Sequence, residues 1–370
     1  FVGYTAAEVK GILVSADKIT YQDLRLAKGA VDIQAVEITE WKQPIIDKGQ
    51  TSTQQTITTE QILQAPTRNV TSIAATSAGI VQKDEGDAIN VRGSRSEATD
   101  YIVDGIRVRG SLKLPQSAVE QITVKTGGLE AQYGDNTGGV IVVSTRGPAE
   151  EISGGVEMVT SEIFDDYGYN LIGANVSGPI WKKETQSGKR TVAGFFLGAE
   201  YQKEKDYDPS AVGTWQLKDG VLDDLKKAPL KLNSIGSALE PAAVRITAND
   251  VEKINFKNSA NSKGYAFNGK LDIAPTRNIN LTFGGSYDRS DRRIFSLNNM
   301  LFNHTNNEQR IESNINAFAR FTHKLSNTDE KSSSILKNAY YTIQFDISRF
   351  TQKRQDSDHQ DRYFDYGYIG

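Results

Sequence analysis

Few side chains in this sequence are of a type and spacing that could do covalent or metal chemistry. The three histidines, His304, His323 and His359, are scattered and lack ligand spacing, so they read as surface or strand residues. Cysteine is absent, which excludes disulfides and thiolate metal sites. The acidic cluster Asp84-Glu85-Gly86-Asp87 could take a cation, but no further carboxylate follows at calcium-loop spacing, and a solvated turn is the better reading. Thr126-Gly127-Gly128 and Gly138-Gly139 are glycine-rich yet lack the Lys-Ser/Thr of a phosphate loop, so these glycines are assigned to tight turns and close packing. No Ser-His-Asp spacing appears. The expectation is a chain without catalytic residues, metal or cofactor. The net charge of -3 gives no nucleic-acid footprint.

The elements around these glycines are short. Between Asp87 and Arg146, the apolar runs Ala88 to Val91, Tyr101-Ile102-Val103, Ile106-Arg107-Val108 and Val140 to Val143 are punctuated by Gly and Asp, as in strands joined by tight turns. Pro115 can open a helical turn carrying Ala118, Val119 and Ile122 on one face. This is a small α+β unit. Upstream, Thr59 to Leu63 starts a helix that Pro66 interrupts, and Asn69 to Ala78 forms a second helix ending at Gly79, with Ile73 and Ile80 packing on the sheet.

Four pieces of this unit, taken in order, resemble the plug domain of TonB-dependent outer-membrane receptors. They are Ile89-Asn90-Val91-Arg92-Gly93, Tyr101-Ile102-Val103-Asp104-Gly105, Val119 to Val124, and Tyr133-Gly134-Asp135 followed by Gly138-Gly139-Val140 to Thr145. The resemblance implies a plug inside a barrel of about 22 strands. It also implies that Arg92 and, as a looser match, Arg146 pair with carboxylates on the barrel wall, for which the guanidinium fork is suited. The alternative is that both are exposed surface arginines. Of Gly134, Gly138 and Gly139, at least one is expected at positive φ in a turn.

Residues 1–40 read as short strands, clearest over Glu8 to Val14 and Ile19 to Leu26, with a turn at Ala16-Asp17-Lys18. They resemble the end of the carboxypeptidase-regulatory-like β-sandwich that precedes the plug in Bacteroidetes receptors. Residues 41–59 read as a linker, polar from Gly49 to Thr59. Just before it, Val36-Glu37-Ile38-Thr39 has two readings: the segment that a periplasmic energy-coupling protein captures by strand addition, which the resemblance places here, or the last strand of the sandwich. The plug is read over 60–150.

From residue 151 to 370 the pattern changes to long period-2 alternation. Phe195, Leu197, Ala199 and Tyr201 form one apolar row; Leu281, Phe283 and Tyr287, and Ile343, Phe345 and Ile347, form others. Asn280, Thr282, Thr342 and Gln344 lie on the opposite face. A water-filled lumen explains the polar face and lipid the apolar one. Roughly seven strands are read, at about 152–164, 167–180, 190–204, 262–274, 278–291, 309–325 and 336–354. The links near 274–278 and after Leu325 are short and that from Lys205 to Ala260 is long, as between periplasmic turns and external loops. Helical pieces are read at Asp223 to Lys227 and at Thr247-Ala248-Asn249-Asp250, which resembles a capping box with Asp in the Glu place.

The fold expected is therefore mostly β: part of an outer-membrane β-barrel, an α+β plug, and the end of an N-terminal β-sandwich. Seven strands cannot close a barrel around a plug, and Phe1-Val2-Gly3-Tyr4 reads as mid-domain, so the chain is expected to belong to a longer protein. The resemblance implies energised nutrient uptake with a TonB-type periplasmic partner and outer-membrane lipid around the barrel. A second reading is a receptor-like barrel serving as a structural subunit of a larger outer-membrane complex. After Arg92-Gly93-Ser94-Arg95-Ser96 the fuller signature of lipoprotein-capped receptors is missing, so a surface lipoprotein is open but not implied.

Overall fold

The computed structural model describes residues 52–108, 112–185, 188–325, 339–356, 358–360 and 362, together with two short strands at 7–9 and 36–38. These strands, β1 (Ala7–Val9) and β2 (Val36–Ile38), pair in parallel, Ala7 with Val36 and Val9 with Ile38. The remaining strands expected over 10–26, and with them the sandwich assignment, lie outside the described residues, as does Thr39. The chain divides into two compact units, Phe1–Arg107 with Val119–Thr145, and Val108–Ala118 with Arg146–Gly370.

The first unit is built on a mixed five-stranded sheet. Its strands are β3 (Thr53–Thr58), β6 (Asp100–Val103), β7 (Ile106–Val108), β8 (Val119–Gly127) and β9 (Val140–Thr145), and β4 (Ile80–Gln82) pairs separately with β5 (Ile89–Val91). The spatial order is β3-β8-β9-β6-β7, with β6 parallel to β9 and the β3–β8 and β8–β9 pairs antiparallel. The polar stretch read as linker thus ends earlier than expected. Thr53–Thr58 is an edge strand, because its backbone pairs with β8 whatever its side chains, Ile57 is buried, and the Thr56 and Thr123 hydroxyls meet at 3.2 Å. Helices α1 (Thr59–Gln64) and α2 (Val70–Ala75) follow. Thr58, not Thr59, is the N-cap of α1, and its N–H donates to Gln61 Oε1 at 3.0 Å. Asn69 Oδ1 accepts from the N–H groups of Thr71 and Ser72, and Gly79 reverses the chain at φ 83°. The helical turn after Pro115 is a single 3-10 turn, Gln116–Ala118. Val119 and Ile122 lie on β8, where β-branched residues pack on both faces of a covered strand.

The second unit is a seven-stranded antiparallel sheet in sequence order: β10 (Ser153–Thr160), β11 (Asn170–Thr185), β12 (Gly188–Glu204), β17 (Ser262–Ile273), β18 (Ile279–Arg293), β19 (Gln309–Leu325) and β20 (Ala339–Gln355). All seven expected strands are present within a few residues of their expected ends. The link 205–261 holds two small ribbons, β13 (Thr214–Leu217) with β16 (Val251–Ile254) and β14 (Leu230–Leu232) with β15 (Leu239–Pro241), and the expected helix, α3 (Val221–Lys227). Thr247 to Asp250 is not helical. Asp250 Oδ2 accepts from both the Thr247 N–H and its hydroxyl at 2.8 Å, closing a turn that leads directly into β16. The long link is anchored by Asp206, whose buried carboxylate accepts the Asp208 N–H at 3.1 Å and the Lys257 N–H at 2.7 Å. It is joined to the 294–308 link where the Ser259 hydroxyl meets His304 Nδ1 at 3.0 Å and Asn307 donates to Ser259 O at 3.2 Å.

Alternation gives the sheet two unlike faces. On one, Thr282, Asp288, Ser290, Glu312, Asn314 and Asn316 are buried. On the other, Leu197 is 54 % exposed, Phe283 44 % and Phe345 75 %. The cross-strand rows continue the same face, as in Leu197–Gly269–Gly285–Ala317–Ile347. Phe195 and Ile343 share this outward face, and Gln344 shares the inward one through its pairing with Arg320. At the inward position Gly284 a Cβ would stand 2.5 Å from the Phe318 ring, so the glycine makes room for its cross-strand aromatic partner. We expect Phe283→Arg to cost about 2–4 kcal/mol if the outward face meets hydrocarbon, and Thr282→Arg to cost less. Spin labels at 283 and 282 check this: the first should be quenched by lipid-soluble oxygen and the second by a water-soluble nickel reagent.

Candidate functional site

The motif residues of the first unit sit at its turns. Asp104 and Gly105 take φ 49° and 87° between β6 and β7, the backbone of a type I′ hairpin turn, in which Asp-Gly is favoured. The Asp104 carboxylate also accepts the Thr145 N–H at 3.0 Å and the Thr145 hydroxyl, tying this turn to the end of β9. Arg92 and Gly93 repeat the left-handed pair at φ 48° and 78°, with Ser94 N–H donating to Val91 O at 2.9 Å. The Arg92 guanidinium lies over Gly127, where a Cβ would be 2.6 Å from it. Arg92 is exposed within its own unit, and Arg146 is half-buried, its N–H donating to Ala118 O at 2.8 Å.

The remaining glycines correct the expectation of a positive φ. Gly134 has φ -51°, and neither Gly138 nor Gly139 is among the positive-φ glycines; Asp135, at φ 64°, takes the left-handed step instead. Gly138 and Gly139 are required for space. A Cβ would fall 2.6 Å from Ala98 O at the first and 2.7 Å from Val91 Cγ1 at the second. Asn136 holds this approach, its Oδ1 accepting the Gly138 N–H at 2.9 Å and its Nδ2 donating to Asp100 at 2.8 Å. The cluster at Asp84 to Asp87 is a turn with Gly86 at φ 81°, whose N–H donates to Ser72 Oγ at 3.0 Å. Val36–Ile38 is paired with Ala7–Val9 and is not brought near these turns by any described contact.

Two charged groups have no signal in sequence spacing. Lys125 on β8 is 1 % exposed; its ammonium meets Glu130 Oε1 at 2.9 Å and lies 4.6 Å from the Tyr133 ring centre. This gives Tyr133 its role, as a lid over a buried cation. In the second unit, the segment 112–118 packs on the polar face, with Ala118 close to Gly198 and Lys113 Nζ reaching Gly264. Burial, and next Arg292, hold the Lys113 ammonium below the usual lysine range, opposed by Asp288, Glu312 and Glu204. Asp288 accepts from Asn314 Nδ2 at 3.2 Å, and Glu312 accepts from Gln352 Nε2 at 2.7 Å and lies 3.8 Å from Arg292. Asp288 and Glu312 lie on the polar face of their strands, with Asn314 and Asn316; Lys113, in an irregular segment, has no periodicity to place it.

Among the described residues both clusters hold ionic contacts, Lys125 with Glu130 in the first unit and Arg292 with Glu312 in the second. Breaking the Lys125 pair should be the more damaging test of the first unit. Glu130→Ala leaves a buried ammonium with only Tyr133, its ring and a long 3.5 Å contact to its hydroxyl, and is expected to cost up to about 3 kcal/mol, Glu130 being itself a third exposed. Lys125→Met, which removes the charge with its partner left near solvent, should cost less. Native-state hydrogen exchange of the β8 and β9 amides reads both.

A family model described as the TonB-dependent receptor plug domain matches residues 47–140. Over 143 residues the chain is 32% identical to a probable TonB-dependent siderophore receptor, PirA, of Acinetobacter baumannii, covering 33% of this chain and 18% of that protein. Among solved structures, the alcaligin outer-membrane receptor FauA of Bordetella pertussis aligns with TM-score 0.54 at 13% identity, over 83% of this chain and 40% of that one. The siderophore receptor PirA of Pseudomonas aeruginosa aligns with TM-score 0.49 at 18% identity, over 81% of this chain and 41% of that one. The chain thus spans well under half the length of these proteins. Residues 47–140 match the plug domain of TonB-dependent receptors, and the seven-stranded antiparallel sheet of the same chain has the fold of part of such a receptor's barrel.

Proposed function

We propose that this chain supplies the plug and part of the wall of a receptor that takes up a nutrient across the outer membrane, energised by a TonB-type periplasmic protein. The observation that supports it best is the union in one chain of a plug-type domain and a long antiparallel sheet with one covered polar face and one bare apolar face. On this reading transport needs no covalent step. Arg92, Arg146 and Lys113 are the candidate cations of a plug that is held ionically and released by force, because ion pairs re-form once the force is removed. The substrate class we assign is a siderophore, on the names of the relatives.

The finer domain order, with a carboxypeptidase-regulatory-like sandwich of Bacteroidetes type at 1–40, is part of the same proposal and rests on the sequence. A surface lipoprotein remains an optional partner. The structural-subunit reading gains from one observation: Val36–Ile38 is already paired with Ala7–Val9, so part of the coupling candidate is engaged within the chain.

Uptake of a labelled iron–siderophore by cells displaying the intact protein tests the proposal. Proline removes a backbone donor and fixes φ, so Ile38→Pro is expected to abolish uptake at matched surface level, with ligand binding kept and Ile38→Val near normal. Normal uptake with proline would move the coupling segment elsewhere. Absence of uptake and binding in the unmutated protein would favour the structural subunit.

A further inference from the structure

Two links leave the same end of the long sheet, 205–261 between β12 and β17 and 294–308 between β18 and β19. Outer-membrane barrels keep their long connections outside, so these two are external. The first is closed at its foot. The Tyr207 N–H donates to Ala260 O at 3.4 Å, and Asp206 gathers the Asp208 and Lys257 N–H groups. At that foot Ser259 stands at φ 51°, a left-handed backbone that serine rarely adopts. A residue so strained keeps its conformation only where its surroundings hold it there.

What holds it is the second link. The Ser259 hydroxyl meets His304 Nδ1 at 3.0 Å, and Ser259 O accepts from Asn307 Nδ2 at 3.2 Å. Asn307 is fully buried, and its Oδ1 accepts from Asn299 Nδ2 at 3.2 Å. Arg293 donates to Thr305 O at 2.7 Å and to Asn307 O at 3.2 Å, fixing the turn that carries His304. Two softer contacts accompany the clasp, Thr214 Oγ1 on Met300 Sδ at 3.1 Å and the Lys257 ammonium 5.3 Å from the Phe295 ring centre. Burial holds the His304 imidazole below its ordinary value of 6.5. The charged groups on the elements that meet here are engaged elsewhere. Lys257 is with Asp208 at 3.0 Å, Glu308 with Arg310 at 3.2 Å, and Arg293 with its two carbonyls. Asp356, just past β20, accepts the Asp358 and His359 N–H groups. A proton on the His304 ring therefore adds a charge to a half-buried position where, among the described residues, no carboxylate is paired with it.

We propose that Ser259 and His304 form an acid-released clasp between the two external links, with the strained Ser259 backbone as the spring that parts them. Neutral His304 keeps the clasp shut. Because burial lowers the imidazole's value, the clasp's contribution is fully present above about pH 6.5 and is lost as pH falls through the lowered value of the closed state. Once His304 lets go, Ser259 relaxes to an ordinary φ, Asn307 loses its acceptor, and the 294–308 link is freed as a unit. The device works whatever the parent barrel carries, so its test needs no substrate.

The test is the distance between spin labels at Val212→Cys and Leu297→Cys, exposed positions on the two links of a sequence that holds no cysteine. It uses the intact protein in detergent at about pH 7.5 and at about pH 5.5, on either side of the ordinary imidazole value. One distance should dominate at the higher pH. At the lower, the ratio of open to closed population should rise by up to about tenfold, the ceiling set by a free imidazole one unit above the working pH. His304→Gln should remove the pH dependence, and His359→Gln should keep it. Ser259→Ala retains the strained backbone and loses only the hydroxyl, so it should open the clasp already at the higher pH. Should the histidine variant fail to assemble, Ser259→Ala carries the test by itself. A parent distance that ignores pH, a pH dependence that survives His304→Gln or vanishes with His359→Gln, or a Ser259→Ala protein as closed as the parent would each overturn the proposal.

Discussion

In hydrocarbon a backbone N–H or C=O has no water to turn to, and this constraint shapes the second unit throughout. In the seven-stranded sheet β11, β12, β17, β18 and β19 are each paired on both sides, and the register runs unbroken from β12 to β20. With main-chain pairing compulsory, side chains are left to satisfy two solvents at once, and strict alternation is how one strand does so. The two register shifts in these long pairings, between Pro179 and Trp181 and between Trp181 and Lys182 on β11, fall beside the residue that lacks a backbone donor.

The same logic explains what could be read from sequence. Strands whose two faces meet unlike media write period 2 into the chain; all seven were legible, and the faces of β12, β18 and β20 with them. Helices α1 and α2 were legible because Thr58 and Asn69 cap them, though the first cap sits one residue earlier than the hydroxyl pattern suggested. Edge strand β3 was not legible: a strand at a sheet margin owes its place to backbone pairing with β8, and Thr-Gln-Gln-Thr-Ile-Thr carries only one large apolar side chain to betray it. The Thr247 to Asp250 motif misled because the same side-chain-to-backbone bond that caps a helix also closes an isolated turn.

The plug motif shows a different limit. Its glycines were visible, but two reasons for a glycine look identical in sequence. Gly93 and Gly105 are there for backbone conformation; Gly138 and Gly139 are there because Ala98 and Val91 come too close for a side chain. Only the fold distinguishes torsion from crowding. Lys125 is the counterpart among charged residues: between Val124 and Thr126 it reads as an ordinary polar strand position, and nothing local announces that Glu130 and Tyr133 return to enclose it.

Edge strand β3 also has a mechanical consequence. It is the first strand of the plug sheet along the chain, and it is bound to the sheet on one side only, through six residue pairs running from Thr53–Gly127 to Thr58–Gln121. Any tension entering from the N-terminal side arrives at Thr53 before it reaches the rest of the sheet. Pulled outward from the sheet edge, the pairs are loaded one after another and the strand unzips at low force. Pulled along its own axis, all six resist together and rupture demands far more. The direction of the pull, rather than the number of bonds, therefore sets whether this strand acts as a weak seam or as a rivet.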